Sequence, residues 1–158
     1  MFIDIIFHNC LKLIFILPLK VILMEEDRLS YLLKKYDSSY VKGEKHSSET
    51  NKLLKQKQRR FEKHNICENL FFEINIYFAP YQKDFVHYLI DYFSEDFKKL
   101  HGRAKNETII LTFMFFTKKI EDSRINLNNY SISKKYGLTD NIFKLVVCRM
   151  CDYYIKKR

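Results

Sequence analysis

The sequence predicts an all-α protein. Only 3 Gly and 2 Pro occur in 158 residues, too few turn signals for a many-stranded sandwich, which needs one every ~8–12 residues. From Cys67 onward, apolar side chains recur at spacings of three and four, the helical period. A hydrophobic fraction of 47% is enough for a packed core in the single domain that this length implies.

The elements follow in chain order. Residues 1–23 are apolar but carry Asp4, Lys12, Pro18 and Lys20. Each charge costs a few kcal/mol near a bilayer centre, which argues against a spanning helix. No positive charge precedes the apolar stretch and no small-residue cleavage site follows it, which argues against a secretory leader. Three readings stay open: a non-native extension ahead of a start at Met24, an interfacial or buried apolar helix, or a membrane anchor. Residues 24–50 hold a short amphipathic helix over 25–36 and a polar, Ser-rich linker over 37–50. The domain is expected over 51–158.

The helical pattern resumes at about Thr50. It opens on a basic run, Lys52, Lys55, Lys57, Arg59, Arg60 and Lys63, followed by a stripe of Cys67, Leu70, Phe71, Ile74, Tyr77 and Phe78, with Pro80 expected to stop the helix. A second helix is expected over about 81–100, with Phe85, Tyr88, Leu89, Tyr92, Phe93, Phe97 and Leu100 on one face. Gly102 would follow it in the left-handed conformation. A third helix is expected over about 105–119, capped by Asn106. Its run IILTFMFF suits a buried strand as well, but no partner strand is evident. After a loop at 120–127, a fourth helix (127–136) closes at Gly137. A fifth (140–156), capped by Thr139 or Asp140, turns Phe143, Val146, Val147, Met150, Tyr153 and Tyr154 inward.

The formal net charge is +9, which favours an anionic partner through long-range attraction and counterion release. The same Lys, Ile, Asn, Phe and Tyr enrichment is also the imprint of an A/T-rich genome. Cys10, Cys67, Cys148 and Cys151 are scattered, unlike a secreted disulfide framework, so a reducing, intracellular compartment is the simpler expectation, nucleus or cytoplasm undecided. Cys148 and Cys151 lie one turn apart on a helix. A structural zinc site needs four ligands, which only Cys67 and one of His64, His87 or His101 would be left to complete. The pair therefore reads as small buried hydrophobes, and neither metal nor cofactor is expected. No phosphate-binding glycine loop or H-E-x-x-H motif occurs, and no nucleophile–base pattern stands out. The chain reads as a non-enzyme.

The stretch 129–150, NYSISKKYGLTDNIFKLVVCRM, carries the functional expectation. Two short helices meeting at a tight turn need a buried apolar residue with a small neighbour in the first, a glycine in the turn, and apolar anchors in the second. Ile132, Ser133, Tyr136, Gly137, Leu138, Phe143 and Val146 supply these, a helix-turn-helix-like pair. Docked in a major groove, the second helix would present Thr139, Asn141, Lys144 and Arg149 to base edges. Lys134 and Lys135 would contact phosphate. Lys55, Arg59 and Arg60 are further candidate phosphate contacts. Asp140 and Leu145 are discordant beside a polyanion.

Over about 66–157 the chain resembles one cyclin-like repeat of the general transcription factor IIB family, including its archaeal factor B members. The resemblance rests on five features in order: a helix ending at Phe78-Ala79-Pro80, the long amphipathic helix QKDFVHYLIDYFSEDFKK, Gly102-Arg103 in LHGRAKNETII, the apolar third helix, and the closing pair LNNYSISKKYGL and TDNIFKLVVCRMCDYY. It implies a five-helix domain, with Arg103 among the DNA-facing residues. It also implies double-stranded promoter DNA as partner, beside the TATA-binding protein and RNA polymerase. The chain departs from that family in having one C-x-x-C pair instead of a zinc ribbon, one repeat instead of two, and aromatics where alanines are common. A cyclin-like protein-interaction adaptor without DNA binding is the alternative expectation.

Overall fold

The run 109–116, ambiguous between strand and helix, sets the architecture. In a computed structural model, which describes residues 48–157, it is the middle of a helix, and there is no strand among the described residues. The expectations for residues 1–23, for a helix at 25–36 and for a linker at 37–47 lie outside the described residues. Six α-helices follow: α1 (Ser48–Glu73), α2 (Pro80–Phe93), α3 (Phe97–Leu100), α4 (Asn106–Glu121), α5 (Ser131–Lys135) and α6 (Asp140–Lys157). A 3₁₀ turn, Leu127–Asn129, precedes α5.

Helix α4 is central. It packs against α1, α2, α3 and α6, and every residue from 108 to 117 is buried. A helix covered on all sides loses the one-sided stripe that marks a surface helix, which is why its sequence reads as continuous. Its three buried threonines all find hydrogen-bond partners, two of them within the helix. The hydroxyls of Thr112 and Thr117 donate to the carbonyls of Thr108 and Phe113, at 2.9 and 2.8 Å. That of Thr108 reaches the carbonyl of Tyr136 at 2.7 Å. Phe113 sits between Phe93 and Phe97, with ring centroids 5.9 and 5.7 Å away.

Several boundaries differ from expectation. Helix α1 includes Ser48, Glu49 and Thr50, assigned above to the linker. It ends at Glu73, ahead of Pro80, and Pro80 is instead the first residue of α2. Proline is well suited to that position because its missing N–H would have no helical partner and its φ is already helical. The Gln82 side chain accepts the Ala79 N–H at 2.9 Å and closes the turn. The helix expected over 81–100 is broken at Ser94–Asp96 into α2 and the single turn α3. Gly102 is not left-handed: Gly137 is the one positive-φ glycine among the described residues. The end of α3 is closed by extended His101, whose N–H bonds the Phe97 carbonyl and whose Nδ1 accepts the Ala104 N–H at 3.0 Å. Asn106 is the first residue of α4, after a Lys105 cap that makes no side-chain bond. The fourth expected helix divides into the 3₁₀ turn and α5, with the Asn126 side chain accepting the Asn128 N–H at 3.0 Å.

Candidate nucleic-acid interface

Helices α5 and α6 meet at Gly137, whose φ is 67°. This left-handed conformation costs an L-residue with a Cβ about 1 kcal/mol or more, and glycine little. The bend is held by two backbone bonds, Leu138 N–H to Ser133 O at 2.8 Å and Gly137 N–H to Lys134 O at 3.3 Å, the pattern of a glycine-terminated helix. Ile132, Ser133 and Leu138 are buried beneath it. Thr139 then caps α6, its Oγ1 accepting the Ile142 N–H at 3.3 Å. Asp140, the other candidate cap, accepts from Asn128 Nδ2 at 2.7 Å. Its carboxylate therefore ties the 3₁₀ turn to the start of α6, where negative charge suits the helix dipole.

Helix α6 divides cleanly. Phe143, Val146, Val147 and Met150 are buried. Asn141, Lys144, Leu145, Cys148, Arg149 and Asp152 are exposed, at spacings that put them on one face. Cys148 thus belongs to the surface, not to the buried pair expected with Cys151. Lys134 is exposed on α5, and Lys144 is exposed one turn into α6.

Other expected contacts are engaged elsewhere. Lys135 donates to Glu73 at the end of α1, and the Tyr136 hydroxyl donates to the other oxygen of that carboxylate at 2.8 Å. These two bonds hold the Glu73 carboxyl below its ordinary range, that from Lys135 contributing most, and the same carboxylate raises the Lys135 ammonium. Arg149 keeps an exposed side chain but donates from Nη1 to the Leu100 carbonyl at 2.9 Å, closing α3 against α6. Arg60 is ion-paired with Glu95 at 3.5 Å. Arg103 is exposed in the turn before α4. Lys55 and Arg59 are exposed on α1, where with Asn51, Lys52 and Gln56 they line an open recess of about 410 Å³.

Glu73 escapes a reading of local spacing because its partners lie 62 and 63 residues away. Among the described residues no helix is long and apolar enough to cross a membrane. No family model matches this chain, nor does any curated protein or solved structure.

Proposed function

We propose that this helical unit binds double-stranded DNA, as a transcription-initiation-factor-like protein contacting promoter DNA, RNA polymerase or both. The observation that carries this reading is the outer face of α6. It begins at a capped N-terminus after a glycine bend and presents Asn141 and Lys144, with Lys134 exposed just before the bend and Arg149, bonded to the Leu100 carbonyl, further along the same face. Asn and Arg have the donor–acceptor geometry for adenine and guanine edges in a major groove. Lysines flanking such a helix track phosphate. The resemblance to a factor IIB repeat supports the same reading and adds the TATA-binding protein as a neighbour on the promoter.

The alternative, a cyclin-like adaptor that binds protein and not DNA, is favoured by two side chains. Phe72 and Tyr77 are 88% and 79% exposed, an arrangement that suits aromatic anchors at a protein interface. Fluorescence anisotropy with a labelled duplex separates the two. The double variant Lys134→Glu, Lys144→Glu should weaken duplex binding at least tenfold, and Phe72→Ser should leave it unchanged. Unchanged binding in the lysine variant would move the contact away from α5 and α6.

A further inference from the structure

Helices α1 and α2 are joined by four titratable side chains in a line. Asp91 Oδ1 lies 2.7 Å from His64 Nε2. His64 Nδ1 lies 2.6 Å from His87 Nδ1. His87 Nε2 lies 2.6 Å from Glu68 Oε1. The two rings are nearly parallel, 26° apart, and both histidines are buried. Each helix contributes one histidine and, four residues on, one carboxylate: His64 and Glu68 from α1, His87 and Asp91 from α2. The bonds run crosswise, so every link of the line spans the two helices.

The proton count follows from hydrogen-bond chemistry. An ionised carboxylate only accepts, so each Nε2 must carry a proton. The two Nδ1 atoms face each other at hydrogen-bond distance, so one must donate and the other accept. The pair of rings therefore holds three protons. Two would leave lone pairs opposed across 2.6 Å, and four would oppose two N–H groups. A metal ion fits poorly in place of the central proton. Nitrogen ligands sit ~2.0–2.1 Å from zinc in a tetrahedron, which sets them well over 3 Å apart. Among the described residues no group of three metal-ligating side chains forms there.

We propose that His64 and His87 share a single proton between their Nδ1 atoms, as an imidazole–imidazolium pair held by Glu68 and Asp91, and that this proton latches α1 to α2. Among the described residues, Lys63, Lys83, Arg60 and Lys118 each have another partner. Lys63 on α1 donates to the Ser94 carbonyl at 2.5 Å and lies over the face of Phe97. Lys83 on α2 lies over Phe71, whose ring is 6.1 Å from that of His87. Arg60 is paired with Glu95. From α4, Lys118 reaches Gln82 and the ring of Phe78.

The pH dependence has a definite sign. In the unfolded chain the two rings hold four protons at low pH and two at high pH, crossing three near the ordinary histidine value of about 6.5. The folded pair holds three for as long as the Nδ1–Nδ1 hydrogen bond is kept. Below the crossing the unfolded state binds more protons, so stability rises with pH; above it the folded state binds more, so stability falls. The folding constant should therefore peak near that crossing and fall by up to about tenfold per pH unit on either side, one proton's worth.

Two measurements on the full chain test this. Ring ¹⁵N spectra of the wild-type protein should show both Nε2 protons and one further proton coupled to two Nδ1 nitrogens, unchanged from about pH 5 to about pH 8. Urea midpoints of wild type and His87→Asn over that range should show a peaked difference. If His87→Asn does not fold, the spectra alone decide. Two rings titrating independently between one and two protons would overturn the proposal. So would one equivalent of zinc displacing the shared proton.

Discussion

Gly137 and Thr139 shape the bend between α5 and α6, and each has a separable role. An added Cβ at Gly137 would meet nothing within 4 Å, so Gly137→Ala tests backbone conformation without a clash. It should cost about 1 kcal/mol of stability in urea unfolding, with Gly137→Asn costing less because Asn tolerates the left-handed region. Thr139→Ala removes the cap on α6 and should cost about 1 kcal/mol, with Thr139→Ser close to neutral. The glycine turn was legible and the cap was narrowed to Thr139 or Asp140, because these conformations select residue types directly. The capping role assigned to Asn106 and the left-handed role assigned to Gly102 are not borne out. Each residue type suited its position, but the chain solves those ends with backbone bonds and with the His101 ring.

At the scale of elements, the inward face of α6 falls on the expected Phe143, Val146, Val147 and Met150, whereas that of α2 is Val86, Leu89, Ile90 and Phe93, with the expected Phe85, Tyr88 and Tyr92 only half-buried. Boundaries were harder. Proline marks the start of α2 as readily as the end of α1, and nothing local distinguishes the two. The breaks at 94–96 and at 130 fall where the sequence has neither proline nor glycine. The centre of α4 is sensitive: Phe113→Ala, at full burial between two other rings, should cost ~3–5 kcal/mol, enough to leave a small domain marginal. The tie from α1 to α5 is pH-dependent in a known direction. Bonds from Lys135 and Tyr136 lower the Glu73 carboxyl from its ordinary 4.5. Its contribution is therefore present above the unfolded value and lost as pH falls through the folded one. In acid titrations followed by circular dichroism, Glu73→Gln should unfold along a shallower acid limb than wild type.

Long-range pairings were the least legible part of the site. The basic outer face of α6 could be placed from spacing alone, but Lys135, Arg60 and Arg149 looked equivalent to Lys144 in the sequence. The fold distinguishes them, since the first two meet carboxylates and Arg149 meets the Leu100 carbonyl. The i, i+4 histidine–carboxylate pairs on α1 and α2 went unread in the sequence, because their meaning depends on how the two helices cross.

At the scale of the whole molecule, an excess of positive charge, +9, matters for function only if a defined part of it neutralises phosphate. Among the described residues, the candidate cations left exposed and not bonded elsewhere in the fold are Lys134, Lys144, Arg103, Lys55 and Arg59. The most direct measurement is duplex affinity as a function of salt. Binding through three to five of these side chains predicts that log K falls against log salt with a slope of roughly −3 to −4.5, and that Lys134→Glu, Lys144→Glu flattens it by about two. A dissociation constant weaker than roughly 10⁻⁴ M at low salt, below ordinary nonspecific binding, or a slope that the variant leaves unchanged, would contradict the account.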